Sequence, residues 1–334
     1  MNGRIVHGGG IGAAAALYGG QPDDWLDLST GLNPCPPRLP GIPDRVWHRL
    51  PDQDLLNETR SAARAFYGSG DILPLPVPGT QSVIQLLPRL ADREKPAAVL
   101  SPTYGEYGRV LSANGFAVDA VATLDDVDPS SGLVVVVNPN NPTGGLHAPA
   151  DLLSLADRLA GQGGFLVVDE AFGDCAPETS IAGAVATRPN LIVFRSFGKF
   201  FGLAGLRLGF VIAADGILER FADWLGPWAV SGPALSVAAD LLSADPQPLR
   251  RIIAERRAGL SRVLGHAGLK VEGGTSLFAL VTDPCAADLH AHLCRAHILT
   301  RKFDYAPTWL RFGLAPDTAS DERLAAALAT WSER

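Results

Sequence analysis

The sequence predicts an α/β fold: a mainly parallel sheet covered by helices, with a smaller α+β lobe after it. Three observations carry this. Short apolar, β-branched runs, predicted as strands at Ala97–Leu100, 116–121, Leu133–Val137, 165–168, 191–194 and 208–212, alternate with predicted helices at 106–114 and 149–159. The chemically capable residues fall at the carboxyl ends of those runs, where such sheets bind ligands: Ser101 to Tyr104, Asn138 to Gly144, Asp169 to Phe172, and Ser196 to Lys199. The C-terminal part then changes rhythm to strand, strand, helix, strand, strand, helix, at 269–272, 277–281, 286–296, 298–301, 309–312 and 321–331.

Taken in order, the first forty residues are irregular apart from a short helix. They contain His7-Gly8-Gly9-Gly10 and the segment Asp27 to Pro34, which includes Ser29 and Asn33. Both stretches are rich in groups that cradle anions; a loose tail and a polar turn are the plain alternatives. Residues 54–67 form an amphipathic helix ending at Gly68, and an apolar-periodic stretch runs over 83–90. Before it, Gly79-Thr80-Gln81 opens a helix, so free N–H groups and a positive dipole end make a candidate anion cup, or simply a helix start. A helix over 217–225 follows the sheet, Pro227 to Pro233 breaks the pattern, and helices run over 234–243 and 247–266. The arginines of the last helix (250, 251, 256, 257 and 262) read as a solvated face. The implied division is an N-terminal segment 1–40 joining the small domain and the active site, a large domain 41–225, and a small α+β domain 226–334.

Composition narrows the function classes. The chain has 334 residues, 47% of them hydrophobic, which supports a sizeable core. It has no apolar run near the roughly 20 residues of a membrane helix and no signal-peptide pattern, so a cytoplasmic protein is expected. A net charge of −7 argues against non-specific nucleic-acid binding. Four cysteines without zinc spacing read as reduced thiols, with no metal site.

Lys199 is the centre of the chemistry. It sits in the apolar, glycine-rich run from Ser196 to Phe210, where an ammonium group is costly. Burial lowers an amine's pKa and makes it a candidate Schiff-base nucleophile; a lysine snorkelling to solvent is the bland alternative. The other three lysines, Lys95, Lys270 and Lys302, have polar or turn settings. Ser196 and Arg207 flank Lys199 with a hydroxyl and a guanidinium fork suited to phosphate, and Gly202 and Gly205 let backbone lie close to a flat ligand.

Asn-Pro-Asn-Asn-Pro-Thr-Gly (138–144), Asp-Glu-Ala-Phe (169–172) and Ser-Phe-Gly-Lys (196–199), in this order, resemble the pyridoxal-phosphate (PLP) enzymes of fold type I, the aspartate-aminotransferase-like family. The resemblance covers nearly the whole chain. It implies PLP as cofactor, a large domain with a seven-stranded-type sheet, a homodimer, and these roles: Lys199 as Schiff-base lysine and proton carrier, Asp169 pairing with the ring nitrogen, Asn141 on the phenolic oxygen, and Tyr104 stacked on the ring. Ser196, Arg207 and Gly79-Thr80-Gln81 would take the cofactor phosphate, and Arg311 the substrate α-carboxylate. A helix cap, a turn asparagine, rim packing and a surface arginine are the corresponding plain readings of Asp169, Asn141, Tyr104 and Arg311. Phe172 stands where the family usually has tyrosine, and Leu50-Pro51-Asp52 lacks the tyrosine usual before that Pro-Asp.

Within the family the likeness runs closest to the branch that decarboxylates L-threonine O-3-phosphate in cobalamin biosynthesis. It rests on His7-Gly8-Gly9, Asp27 to Pro34, Asp-Glu-Ala-Phe and Pro227-Trp228-Ala229-Val230. The implied reaction gives (R)-1-amino-2-propanol phosphate and CO₂. His7, Gly8, Ser29, Asn33 and Arg301 are the residues expected at the substrate besides Arg311. A grip on the distal phosphate would turn the carboxylate out of the ring plane, where its bond can break. An aminotransferase for a phosphorylated amino acid such as histidinol phosphate is the alternative. A PLP-binding regulator would need a DNA-binding domain for which 334 residues leave no room.

Overall fold

The structure, a computed structural model, describes Ile5 and residues 7–332. Its centre is a seven-stranded sheet in the order Leu75–Val77, Gly209–Ile212, Leu191–Ser196, Phe165–Asp169, Leu133–Val137, Ala97–Leu100, Val118–Val121. Neighbouring strands from Leu191–Ser196 to Val118–Val121 pair in parallel, whereas Gly209–Ile212 runs antiparallel to both its neighbours. Residues 197–208, which carry Lys199, hold one helical turn and one 3-10 turn, and the chain doubles back beside the strand it has just left. Leu75–Val77, not singled out from sequence as a strand, holds Pro76 and lies at the sheet edge, where proline is tolerated.

Side-chain alternation splits the central strands between two cores. Leu133, Val135 and Val137 join Val99, Val167, Ile192 and Phe194 on one face. Val134 and Val136 join Ala98, Val168, Val193 and Phe210 on the other, which continues into the C-terminal lobe. All five residues of Leu133–Val137 are buried, as a strand covered on both faces requires. Each such side chain contributes about 1.5–3 kcal/mol.

The helix Gln53–Tyr67 is capped by Asp52, which accepts from the Leu55 N–H at 3.0 Å, and ends at Gly68 with φ 63°. The stretch 83–90 is not one helix: Thr80–Ile84 is a short helix and Leu87–Arg89 a 3-10 turn, because Pro88 supplies no donor to continue it. The expected strand 298–301 is two. Ile298–Leu299 pairs in parallel with Leu26–Asp27, so part of the N-terminal segment is ordered against the lobe; Arg301–Lys302 pairs with Trp309–Gly313 in a four-stranded antiparallel sheet with Val271–Thr275 and Phe278–Thr282. Nor is the arginine-rich helix simply a solvated face. Arg250 donates to the Asp174 carbonyl at 3.0 Å, Arg256 to Asp321 at 2.9 Å and Arg257 to the Thr275 carbonyl at 3.1 Å. These bonds tie the helix to both lobes.

Candidate active site

A cavity of about 370 Å³ opens where the carboxyl ends of the parallel strands meet the C-terminal sheet and the N-terminal segment. Its size suits a small-molecule site. Lys199, Asp169, Asn141, Tyr104, Ser196, Arg207, Gly79, Thr80, Gln81, His7, Gly8, Arg301 and Arg311 all line it; Ser29 and Asn33 do not.

Lys199 rides on the single helical turn Phe197–Phe200 that closes the Leu191–Ser196 strand. Phe197, Phe200 and Phe201 point into the core, with Phe197 and Phe201 stacked 4.4 Å apart, and that anchors the turn so that the lysine faces the pocket. Gly198 permits the tight packing: a Cβ there would lie 2.8 Å from Ala204 Cα. Burial lowers the Lys199 amine from 10.5 to about 8, helped by Arg311 and Arg207 and opposed by Asp169. Its Nζ lies 5.6 Å from the centre of the Phe172 ring, so an aromatic face occupies the position where a hydroxyl was absent from the sequence.

Asp169 ends its strand almost fully buried. Its carboxylate accepts from Tyr107 Oη at 2.7 Å and from the Ala171 N–H at 3.0 Å. Burial pushes its pKa above the ordinary carboxylate range, against the pull of those two donors. A carboxylate so placed favours a cationic partner in the pocket.

The turn expected as an anion cup, Gly79-Thr80-Gln81, also lines the cavity. Gly79 precedes the Thr80–Ile84 turn with φ 73°, and a Cβ added to it would lie 2.9 Å from Arg207 Nη2. Arg207 itself sits in the left-handed region at φ 54°, ψ 55°, and donates to the Ala204 carbonyl at 3.1 Å. That backbone costs on the order of 1–3 kcal/mol. It aims the guanidinium at the Gly79 turn. The Gln81 side chain does something else: Nε2 donates to Glu106 at 3.0 Å and Oε1 accepts from Tyr104 Oη at 3.1 Å.

On the side of the C-terminal lobe, Arg301 and Arg311 are register partners on adjacent antiparallel strands. Like charges directly opposite destabilise a sheet. Burial, and after it the neighbouring Arg301 charge, pull Arg311 down to about 10. Arg311 donates to Asn141 Oδ1 at 2.6 Å and to the Ser29 carbonyl at 2.7 Å, which leaves its buried Nε without a partner among the described residues. The α-carboxylate fork expected of Arg311 is therefore partly engaged by the protein itself.

Of the expected substrate residues, Asn33 and Ser29 do not line the cavity, whereas His7 does. Asn33 is buried outside the cavity, its amide satisfied by Cys35 and by the Phe200 carbonyl; it fastens the N-terminal segment under the Lys199 turn. Ser29 also stays outside: its hydroxyl donates to Asp27 at 2.6 Å and accepts from the Gly9 N–H at 2.7 Å, so it works through the glycine loop. His7 reaches the cavity, but its Nε2 is 3.1 Å from Glu106 Oε1. Sequence reasoning did not single out Tyr107 or Glu106. The only available signal was their place in the first turn of the Glu106–Ala113 helix, directly after the strand-end Tyr104.

Among the described residues, no cluster of three or more His, Cys, Asp or Glu could hold a metal ion, and no helix is long and apolar enough to cross a membrane.

Comparisons with known proteins place this geometry. The profile of the family described as aminotransferase class I and II matches residues 42–328. The chain is 63% identical to a threonine-phosphate decarboxylase of a Sinorhizobium species, over 98% of this chain and 99% of that one. It is 44% identical to the threonine-phosphate decarboxylase of Pseudomonas aeruginosa, over 98% of each. Among solved structures, the histidinol-phosphate aminotransferase from Sinorhizobium meliloti in complex with pyridoxal-5'-phosphate superposes with a TM-score of 0.81, covering 99% of this chain and 95% of that one at 21% identity, a likeness of fold.

Proposed function

The chain belongs to the class I and II aminotransferase family, and from its likeness to two threonine-phosphate decarboxylases we propose that it decarboxylates L-threonine O-3-phosphate with pyridoxal 5'-phosphate as cofactor. The product would be (R)-1-amino-2-propanol phosphate, which serves the nucleotide loop of cobalamin.

The cofactor fits the residues present. Gly79 lets the Arg207 guanidinium approach the turn closely, and Thr80 and Ser196 line the cavity with it, so the three would take the cofactor phosphate. Buried Asp169 would face the ring nitrogen, Asn141 the phenolic oxygen and Tyr104 the ring, with Lys199 as the covalent attachment. When bound, this cofactor draws electrons from the substrate Cα, so that a bond to that carbon can break. The protein's own residues do the rest. Lys199, with an amine near 8, can hold or release a proton beside Cα at neutral pH. The Tyr107 hydroxyl opposes the rise that burial imposes on the Asp169 pKa, and Phe172 contributes a surface without a competing hydroxyl.

The observation that carries the substrate is the Arg301–Arg311 register pair. With Arg207 assigned to the cofactor phosphate, Arg301 and Arg311 put two adjacent cations at the cavity, matching a substrate with two anionic groups, a carboxylate and a phosphate of about −1.5 to −2. His7 and the Gly8 loop border the same end of the cavity. Incubation with L-threonine O-3-phosphate should release CO₂ without a keto acid. Amine transfer that depends on a keto acid, with no CO₂, would favour the aminotransferase alternative, whose relatives are more distant (28% identity over 69% of the chain for one histidinol-phosphate aminotransferase).

The proposal includes a cytoplasmic homodimer with an N-terminal segment 1–40, a large domain 41–225 and a small domain 226–334. The free thiols of Cys35, Cys175, Cys285 and Cys294 suit a reducing compartment. Exposed Trp47, Leu50 and Trp228 support an interface near the loop at 50–54, which would approach the neighbour's cofactor. A fully active monomer in solution would refute that arrangement.

A further inference from the structure

We infer that Glu106 is a positioning residue: it latches the N-terminal segment over the cavity through His7 and sets Tyr104 through Gln81. Its effect on substrate rests on the decarboxylase reading; the latch itself rests on geometry.

Glu106 opens the Glu106–Ala113 helix with a side chain only 6% exposed. A buried carboxylate is costly unless its oxygens are met by donors. Here Oε1 takes His7 Nε2 at 3.1 Å, while Oε2 takes Gln81 Nε2 at 3.0 Å and Arg109 Nε at 3.0 Å. Burial pushes the carboxyl upward, but the bonds from Arg109, His7 and Gln81 outweigh it, and its pKa lies below the ordinary range. Arg109 is the partner a surface helix would provide by itself. The other two donors come from separate segments, and both line the cavity that Glu106 does not.

The consequence for Tyr104 follows from donor and acceptor chemistry. An ionised carboxylate only accepts, so Gln81 must turn its NH₂ toward Glu106 and its carbonyl oxygen toward Tyr104. Tyr104 then donates through its hydroxyl at 3.1 Å, with its ring held beside the cavity. The imidazole of His7 lies 5.8 Å from that ring. The Gly9 N–H to Ser29 Oγ bond at 2.7 Å pins the next residues. One carboxylate thus fixes a strand-end aromatic and the segment that borders the substrate end of the cavity.

The test is hydrogen–deuterium exchange in the holoprotein, read on the Gly9 amide, whose N–H meets Ser29 Oγ, together with steady-state kinetics. Glu106→Gln preserves shape but presents an NH₂ to one of its donors. Protection of the Gly9 amide should fall at least about tenfold. KM for L-threonine O-3-phosphate should rise about tenfold, with kcat changed less than about threefold. In a cycle with His7→Ala, the double variant should be no worse than the poorer single variant. Unchanged exchange in Glu106→Gln, or additive losses in the cycle, would overturn the latch. If Glu106→Gln does not fold, His7→Ala decides the matter, because that side chain is exposed: the latch requires the same loss of protection, and full protection refutes it. Should the wild type release no CO₂ while the exchange result holds, the decarboxylase reading fails and the latch stands.

Discussion

Removing one oxygen atom, by Tyr107→Phe, tests how far a hydrogen bond offsets the burial of the Asp169 carboxyl. Tyr107 is fully buried and its Oη donates to Asp169 Oδ2 at 2.7 Å. Phenylalanine keeps the ring and its edge contact with Tyr104, 6.2 Å between centroids, so the change deletes a hydrogen bond without a large cavity. A bond to an ionised group contributes about 1.5–3 kcal/mol, or roughly 10–150-fold in an equilibrium. After the change, Asp169 keeps only the Ala171 N–H at 3.0 Å. Burial already raises its pKa above the ordinary value, and losing a donor that lowers it raises it further. The sign follows: a carboxyl raised in the folded state costs stability once ionised, so apoprotein stability falls as pH climbs from the unfolded pKa through the folded one. In Tyr107→Phe that window extends to higher pH and the loss across it is larger. The primary assay is titration of the apoprotein with PLP, followed by absorbance. Kd at neutral pH should rise about tenfold or more, because a neutral Asp169 cannot pair with a protonated ring nitrogen. Thermal melts of the apoprotein from pH 5 to 8 should show a steeper loss than wild type. Equal affinity and superimposable melts would refute the claim that the Tyr107 bond offsets the burial of Asp169.

Lys199 should give the apoprotein a pH-dependent reactivity toward PLP that rises through about pH 8 and levels above it, since only the neutral amine attacks; an inflection near 10 would contradict its desolvated setting. Borohydride reduction of the holoprotein should attach the cofactor to Lys199; finding it on Lys95, Lys270 or Lys302 would remove Lys199 from the mechanism. Arg301→Ala should lower kcat/KM for L-threonine O-3-phosphate by roughly 10²-fold, leave cofactor absorbance unchanged, and reduce discrimination against unphosphorylated threonine; full activity, or loss of cofactor, would show that Arg301 does not anchor the phosphate. Gly31→Ala would place a methyl group 2.9 Å from Phe172 and 3.0 Å from Phe278, and should lower the denaturant midpoint by the equivalent of about 1–3 kcal/mol; an unchanged midpoint would mean that the two rings yield freely.

Much of the sheet and of the cofactor end of the site was legible from the amino-acid order, because both depend on short-range pattern. The run Leu133–Val137 can satisfy its apolar side chains only when covered on both faces, and Asp169, Ser196 and Lys199 follow strand ends within a few residues, so finding the strands finds them. Four lysines, three of them in solvated contexts, sufficed to single out Lys199. What folding alone decided depends on partners far apart in sequence. Asn33 and Ser29 were equally plausible ligands by residue type, yet Asn33 meets the Phe200 carbonyl and Ser29 the Gly9 N–H, and a polar group already satisfied in the protein is no longer offered to substrate. The arginine-rich helix has the composition of a solvated face, but carbonyls and a carboxylate from other segments took up three of its side chains. The opposition of Arg301 and Arg311 is a matter of strand register, and the Asp169 carboxylate takes a hydrogen bond from a phenol 62 positions earlier in the chain. Periodicity determines which elements form and which residues stand at their ends. Burial then decides which donors and acceptors must find one another, and that selection takes place only between segments the fold has brought together.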